Sequence, residues 1–259
     1  MLMKDRTTMG TLEKARAVFR KLVRERGLTH KRVTVSVKPL SPEEAIGRTK
    51  RKDYPILKGK ERVIEASVLG SKGQVFTDSP SNFSGTLGGV LRLGLRDSRN
   101  RALVIAVINA ACRAMGVAAG TLHCKDAEPE LCAARIAADI LLRRGRCRVG
   151  LVGFQPAFAA RLVRTFGRGN VHILDRNPAN IGSVKCGVHI RGGRGDAQAL
   201  ARWADVVLIT GTTLVNGTFD SLLRLVRRHD KEFMIYGISI AGSAALLGLP
   251  RVCHCGRDD

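Results

Sequence analysis

Residues 205–218 read DVVLITGTTLVNGT, and this stretch decides the fold. The apolar run Val206 to Ile209 predicts a buried parallel strand, because strands covered on both faces are continuously hydrophobic. The strand ends in a polar turn, Thr210-Gly211-Thr212-Thr213, and a second polar cluster, Asn216-Gly217-Thr218, precedes a helix. Open α/β sheets bind ligands where a strand gives way to a helix N-terminus. These loop residues are therefore the first candidate ligand-binding site.

Strands and helices alternate around this stretch from Cys147 onward. The predicted strands cover 148–152, 171–174, 186–190, 206–209 and 233–238, and a last one begins at Val252. The predicted helices cover 156–166, 197–203, 219–228 and 242–247. Such alternation indicates an α/β fold with a Rossmann-like, mostly parallel sheet and helices on both faces.

The first half of the chain has an α+β pattern. A helix over 11–26 with Thr11 as its cap, strands at 33–38, 63–68 and 74–77, and a short helix capped by Ser41 are predicted. A turn at Gly70–Gly73 joins the last two strands, and a long apolar helix covers 101–115. We expect a smaller α+β domain over 1–98, a helical connector over 99–146 and the Rossmann-like domain over 147–259.

The segment 81–89, SNFSGTLGG, is rich in Gly, Ser and Thr. It is either a connector or a loop whose backbone approaches a ligand, since Gly tolerates tight geometry. The basic segment 48–52, followed by Lys58, Lys60 and Arg62, leaves a similar choice between an exposed loop and a rim that attracts an anion. The sequence does not decide between these alternatives.

The net charge is +22, from 44 Lys and Arg against 22 Asp and Glu. Such a charge suits nucleic acid, an anionic membrane surface or anionic small ligands. Aromatic residues make up only 4%, and basic residues are spread over helix faces that read as solvated, as at Arg224, Arg227 and Arg228. This argues against a nucleic-acid partner. No run approaches the roughly 20 apolar residues of a membrane span. Met1–Thr11 lacks a signal-peptide core, so we expect a cytoplasmic protein; a homo-oligomer is compatible with the sequence.

Four of the seven cysteines fall into two local clusters. One cluster is His123-Cys124 with Cys132, at the start of a helix predicted over 128–142, and the other is Cys253-His254-Cys255. Thiolates and imidazoles are the ligands that zinc and iron prefer, and four thiols also hold iron–sulfur clusters. The spacings C-x7-C and C-x-C are not standard for metal sites. Metal ligands and free or buried thiols therefore both remain open.

A nucleotide-type cofactor is the alternative occupant of the same cleft. The first βα turn, Gly150-Leu-Val-Gly153-Phe-Gln-Pro156, lacks the G-x-G-x-x-G pattern that dinucleotides need. Asp175 follows the second strand, where it could meet a ribose hydroxyl or cap the turn that leads to Pro178. The alternative function is an enzyme that uses a nicotinamide or a methyl donor. No catalytic residue is assigned, and enzymatic activity stays open.

Residues 204–218, with Gly150–Phe154 upstream, resemble the heavy-metal-chelation family. The resemblance implies a Rossmann-like domain preceded by a smaller domain similar to the enolase N-terminal fold. Gly85-Thr86-Leu-Gly-Gly89 and Ala106–Ala110 are similar to that companion domain's Gly-Thr loop and Asn-Ala helix. The implied role is binding or handling metal ions or metal chelates at the domain interface, where the Thr/Asn loop meets Gly85 and Thr86.

The sequence and the resemblance together indicate a protein that binds a metal ion, a metal chelate or an iron–sulfur cluster. The expected site is a cleft at the C-terminal ends of the Rossmann-like strands. The candidate metal ligands are Cys124, Cys132, Cys253, Cys255, His123 and His254. The Thr210–Thr218 loop would hold an anionic or chelating group through backbone amides and hydroxyls.

Overall fold

The first half of the chain folds into a four-stranded antiparallel sheet. The computed structural model describes residues 9–28 and 34–258 of the chain. The strands are β1 Thr34–Leu40, β2 Arg62–Val68, β3 Ser71–Thr77 and β4 Phe83–Thr86. They lie in the order β3-β2-β1-β4. The predicted strand residue Val33 lies outside the described residues, whereas Val37 is buried as its alternation with polar neighbours predicts.

Six helices accompany this sheet within the described ranges: α1 Thr11–Glu25, α2 Pro42–Ile46, α3 Pro55–Lys58, α4 Leu87–Leu91, α5 Ser98–Ala114 and α6 Glu128–Arg144. The Ser41 hydroxyl accepts a hydrogen bond from the backbone N–H of Glu44 (3.2 Å), which confirms the predicted cap of α2. The predicted cap of α1 is wrong, because Gly10 occupies that position. The backbone N–H and hydroxyl of Thr11 instead donate to the Asp220 carboxylate.

The hairpin between β2 and β3 turns earlier than the prediction. Leu69 and Gly70 have φ of 50° and 80°, so they form a two-residue turn, and Ser71 already pairs with Val68. Gly73 therefore lies inside β3, not in the turn. A Cβ on Gly73 would lie 2.7 Å from the Ala106 carbonyl oxygen. The backbone of β3 thus rests directly on helix α5.

The segment 81–89 is neither a connector nor a loop. Phe83–Thr86 forms the edge strand β4, in which Gly85 pairs with Val35 of β1. The Thr86 hydroxyl then accepts the backbone N–H of Gly89 (3.1 Å) and caps α4. A four-residue edge strand with alternating half-buried and exposed residues has no apolar period, so no strand is predicted from the sequence here.

The second half builds a seven-stranded sheet, which confirms the predicted α/β fold class. Its strands are β5 Val149–Val152, β6 Val171–Leu174, β7 Val184–Lys185, β8 Val188–Arg191, β9 Val206–Thr210, β10 Glu232–Tyr236 and β11 Arg251–Val252. The order is β11-β10-β9-β5-β6-β8-β7, and only the β7–β8 pair is antiparallel. Cys186 has φ of 54° in the turn before β8, so the third predicted strand starts two residues late.

Helices of the second half are α7 Pro156–Phe166, α8 Arg194–Trp203, α9 Thr212–Asn216, α10 Phe219–Arg228 and α11 Ala241–Leu247. The sequence placed α7 and α10 correctly but showed the residues of α9 as loop. Thr and Asn have low helix propensity, and one short turn of helix gives no apolar period. Within the described ranges, no helix combines the length and the apolar character needed to cross a membrane.

Helix α5 joins the two sheets into one core. Every residue from Ala102 to Cys112 is buried, and α5 packs against β2 and β3 on one side and α9 and α11 on the other. Asn109 is fully buried within it. Its side-chain amide donates to the carbonyls of Gln74 and Ile238, at 3.1 Å each, and its oxygen accepts the N–H of Gly242 at 2.8 Å. Asn109 therefore ties the small sheet to the loop that follows β10.

Candidate functional site

A cleft of about 1320 Å³ opens at the carboxyl ends of β5, β6, β9 and β10. The Rossmann-like half contributes the loops that follow these strands. The first half contributes the segments around Tyr54–Glu61 and Phe76–Asp78, and the C-terminal cysteine cluster contributes Cys253. This is the place where parallel α/β sheets bind ligands, at the ends of neighbouring strands.

The Thr/Asn loop lies along this cleft. The residues of this loop that line the cavity are Thr210, Gly211, Thr212, Thr213, Val215, Asn216 and Thr218. The hydroxyls of Thr210 and Thr212 lie 3.1 Å apart, whereas Thr213 is buried and donates its hydroxyl to the Thr210 carbonyl at 2.6 Å. Asn216 accepts both the N–H and the hydroxyl of Thr218. Gly217 does not line the cavity; it ends α9 with φ of 80°.

The first βα turn packs tightly onto this loop. Gly153 has φ of 91°, and a Cβ there would lie 2.5 Å from Thr210 Cγ2. The Tyr236 hydroxyl donates to the Gly153 carbonyl at 2.8 Å, and burial raises the pKa of Tyr236. The Asp175 carboxylate accepts the N–H groups of Phe154 (2.7 Å) and Asn177 (2.6 Å). Asp175 therefore caps its own turn and fixes the neighbouring one.

Carboxyl groups face the cleft from both halves of the chain. Glu61 lies near Asp175 and Asp78, and burial together with these two negative charges raises the pKa of Glu61 to about 7. The Tyr54 hydroxyl donates to Glu130 at 3.0 Å, and burial first, then the Glu130 charge, raises the pKa of Tyr54. The second oxygen of Glu130 is buried without a partner.

The structure brings the two cysteine clusters together at one end of the cleft. Cys124 and Cys132 are 7% and 4% exposed, and both line the cavity with Cys253. A hydrogen-bonding interaction with the Cys132 thiol lowers the pKa of Cys253, and Arg251 acts in the same direction. The same interaction, with burial, raises the pKa of Cys132. We call Cys124, Cys132, Cys253 and Cys255 the thiol cluster.

Cys255 is half-buried and also interacts with Cys132, although burial is the main effect on its pKa and raises it. Burial raises the pKa of Cys124, and the nearby Cys253 and Cys255 add to this effect. Within residues 9–28 and 34–258, however, no three His, Cys, Asp or Glu side chains stand in a metal-binding arrangement. The thiols are neighbours but are not drawn in around a common point.

The two candidate histidines occupy different places. His123 lines the cavity, packs its ring edge-to-face on Phe76, and has its Nε2 3.9 Å from the Cys124 sulfur. Burial lowers the pKa of His123 to about 4, and its Nδ1 is buried without a hydrogen-bond partner. His254 is exposed and pairs with Asp139 of α6 at 2.8 Å. His123 therefore belongs to the thiol end of the cleft, and His254 lies outside it.

Gly85 and Thr86 do not line the cavity. Both belong to β4, at the far edge of the small sheet, and the Thr86 hydroxyl is engaged in capping α4. The first half reaches the cleft instead through Glu61, Phe76 and Asp78. The structure thus separates the two residues of the expected Gly-Thr loop from the Thr/Asn loop.

Sequence reasoning missed the arginines of the cleft, Arg176, Arg194, Arg224 and Arg228. Arg224 and Arg228 are exposed, as a solvated helix face predicts, but that face also forms one side of the cavity. Helical spacing gave a usable signal, because Ser221, Arg224 and Arg228 share one face of α10 just after the Thr/Asn loop. The position of α10 beside a strand end could have identified this face.

Comparisons with known proteins agree with this architecture. Residues 137–250 match the model of a family described as "Putative heavy-metal chelation". A crystal structure of a DUF364-family protein of unknown function from Pyrococcus horikoshii covers 89% of this chain and 80% of that chain, with a TM-score of 0.50 and 12% identity. A second, from Desulfitobacterium hafniense DCB-2, covers 72% of each chain, with a TM-score of 0.45 and 15% identity. No curated protein shows a significant match. The family match over residues 137–250 confirms the resemblance to the heavy-metal-chelation family.

Proposed function

We propose that this protein binds a soft or borderline metal ion, free or as a chelate, at the thiol end of the cleft. The observation that carries this proposal is the convergence of thiols from two segments that are more than a hundred residues apart in sequence, 124–132 and 253–255. With units divided at 1–98, 99–146 and 147–259, the ligands would come from the middle and last units.

The chemistry of the donor set suits zinc, iron or an iron–sulfur cluster. A metal binds the thiolate form of cysteine, and the lowered pKa of Cys253 favours that form. Neutral imidazole is the form that metals require, and neutral His123 has an Nδ1 without a hydrogen-bond partner, while its Nε2 lies 3.9 Å from the Cys124 sulfur. Cys132, Cys253, Cys124 and Cys255, or three of them with His123, would make a four-ligand set.

Metal binding would require the thiol cluster to close. The interaction between the two thiols raises the pKa of Cys132 and lowers that of Cys253, so a metal would displace the proton of Cys132 and draw the sulfurs together. Proton release on binding is therefore part of the proposal. His254 would need to leave Asp139 to join, so we place it outside the ligand set.

The Thr/Asn loop would hold the organic part of a chelate. The Thr210 and Thr212 hydroxyls, 3.1 Å apart on the cavity wall, can donate to a carboxylate or hydroxamate-type oxygen. Asn216 and Gly217 would support the loop, because the Asn216 oxygen caps Thr218 and Gly217 provides the left-handed turn. Thr213 would act through the backbone of Thr210.

Elemental analysis of protein purified without oxygen, followed by zinc titration in weak buffer, tests the proposal. We expect bound metal and proton release in the wild type, and loss of both in the Cys132→Ser/Cys253→Ser double variant. The matched control is Cys147→Ser/Cys186→Ser, which removes two thiols that do not line the cavity. Equal metal content in all three proteins, or none in the wild type after titration, would contradict the proposal.

A further inference from the structure

Four arginines form one side of the cleft, opposite in character to the thiol cluster. They are Arg176, Arg194, Arg224 and Arg228, and we call them the arginine wall. Arg176 follows β6, Arg194 opens α8, and the other two lie on α10. Helices α8 and α10 pack on each other, and α8 also contacts β6, so these elements are neighbours. The arginine wall is therefore drawn from three neighbouring elements.

Helical geometry turns these side chains toward the cavity. Ser221, Arg224, Leu225 and Arg228 follow the i, i+3, i+4, i+7 spacing of one helix face, and all four line the cavity. On α8, Arg194 and Gln198 are four residues apart and line it as well. The cavity-facing side of both helices thus carries guanidinium, amide and hydroxyl groups beside the apolar Ala197, Leu222 and Leu225.

The carboxylates on these elements do not neutralise the arginines. Asp175 accepts the N–H groups of Phe154 and Asn177, Asp196 accepts that of Gly192, and Asp220 binds Thr11. Within the described part of the chain, none of the four guanidinium groups makes an ion pair or a hydrogen bond. Arg51 and Arg148, away from the arginine wall, do pair, with Asp53 and Asp205. The local acids are engaged by backbone, and four positive charges face the cleft.

We propose that the arginine wall binds a small organic polyanion, a molecule with two or more carboxylate or phosphate groups. Guanidinium groups present paired N–H donors that match the oxygens of both kinds of group. Four guanidinium groups around a concave surface suit a molecule with several anionic groups better than they suit a single small anion. This inference concerns the cleft of the proposed function, for which it makes the chelate anionic, but the arginines can bind the polyanion without metal.

A single-stranded nucleic acid is the competing occupant, and the structure favours it less. Base stacking needs exposed aromatic rings. Phe219 of α10 is buried, and Trp203 of α8 stacks on His172 with ring centroids 3.6 Å apart. These rings belong to the packing of the fold, so the arginine wall offers charge without a stacking platform.

Calorimetric titration with citrate and, separately, with pyrophosphate tests the inference on the full chain. The decisive variant is Arg224→Gln/Arg228→Gln, and the matched control is Arg161→Gln/Arg164→Gln on α7, which does not line the cavity. Both variants lose two positive charges, so both lower non-specific attraction equally. We expect the dissociation constant of at least one probe to rise about tenfold or more in the first variant and to change little in the second. Tighter binding of citrate would indicate a preference for carboxylate groups, and tighter binding of pyrophosphate a preference for phosphate groups.

Equal weakening in both variants, or no binding of either probe to the wild type, would overturn the inference. Binding of an oligonucleotide alone, lost in the Arg224/Arg228 variant, would overturn it in favour of nucleic acid. Zinc titration of the same variants separates the two proposals. Polyanion binding without zinc binding would support the polyanion site and contradict the proposed metal site. Zinc binding without polyanion binding would support the metal site and contradict the polyanion site.

Discussion

The two sides of the cleft treat ionisable groups in opposite ways. At the thiol cluster the groups are buried or half-buried, the pKa values of Cys132 and Cys253 move apart, and the Nδ1 of the neighbouring His123 has no partner. At the arginine wall the charges are exposed and the nearby carboxylates are engaged elsewhere. Buried groups respond mainly to protons, and exposed charges respond mainly to salt. The difference fits the two proposals, in which the thiol cluster coordinates a metal and the arginine wall attracts an anion.

The largest expected effect is the pH dependence of zinc affinity. Cys132 has a raised pKa, so zinc must displace its proton, and affinity falls by about tenfold per pH unit for each proton displaced. Between about pH 8 and pH 6 we expect a fall of about a hundredfold or more, with little change on adding salt. Chelator competition measures this. A pH-independent affinity, or one that salt weakens strongly, would remove the distinction between the two sides.

Asn109 holds the small sheet, which forms part of the cleft wall, against the segment that follows β10. Asn109→Ala would leave the Gln74 and Ile238 carbonyls and the Gly242 N–H buried without partners. We expect the free energy of unfolding to fall by about 2–4 kcal/mol in urea titrations. Ser243→Ala is the control, because the Ser243 hydroxyl is equally buried but has no partner, and we expect a change below about 1 kcal/mol. Similar losses in both variants would contradict the role of Asn109.

Glu61 tests whether burial controls the pKa of a carboxyl group on the side of the cleft that the first half of the chain forms. Its pKa rises from 4.5 to about 7, so the folded state holds this proton more tightly than the unfolded state. The resulting stability is complete below pH 4.5 and is lost as the pH rises through about 7. Glu61→Gln should therefore raise the free energy of unfolding at pH 8 by on the order of 1 kcal/mol, with little effect at pH 4. Thermal unfolding across this pH range measures the change, and a destabilised variant at pH 8 would contradict it.

The smallest effect is expected for the exposed Arg148–Asp205 pair. Hydrogen bonds from Arg148 lower the pKa of Asp205 to about 2, so the pair stabilises the fold above pH 3.8 and loses its effect as the pH falls through about 2. Because both side chains remain partly in solvent, Asp205→Asn should cost only about 0.5 kcal/mol at neutral pH. High salt should remove most of that difference in unfolding experiments. A loss of unfolding free energy as large as that of Asn109→Ala would contradict the expectation that an exposed ion pair contributes little to stability.

The sequence predicts those parts of the fold that repeat an apolar pattern. Val206–Ile209, the helix over 156–166 and the helix over 219–228 carry unbroken signals, and all lie where they were predicted. Strand β4 and helix α9 are too short and too polar to show a period. Leu69 was missed as a turn residue because leucine rarely adopts positive φ.

The site was less predictable than the fold. The loop residues Thr210–Thr213 follow from a strand end, so their place in the cleft could be read from the chain. The meeting of Cys132 with Cys253 depends on the parallel pairing of β11 with β10, which no local pattern reports. Arg224 and Arg228 look like any solvated helix face until α10 is placed beside the cavity. Long-range pairing, more than residue type, decides the chemistry of this cleft.

Gly73 fixes the distance between strand β3, which leads to one wall of the cleft, and helix α5. The strand that carries Phe76 and Asp78 to the cavity rests on α5 with no room for one methyl group, since a Cβ would lie 2.7 Å from both the Ala106 oxygen and the Asn109 Cβ. Spacing set by backbone contact cannot be adjusted by choosing another rotamer. A change as small as Gly73→Ala would therefore push β3 away from α5 and increase the distance between the two halves of the molecule. It would do so without changing any side chain that lines the cleft.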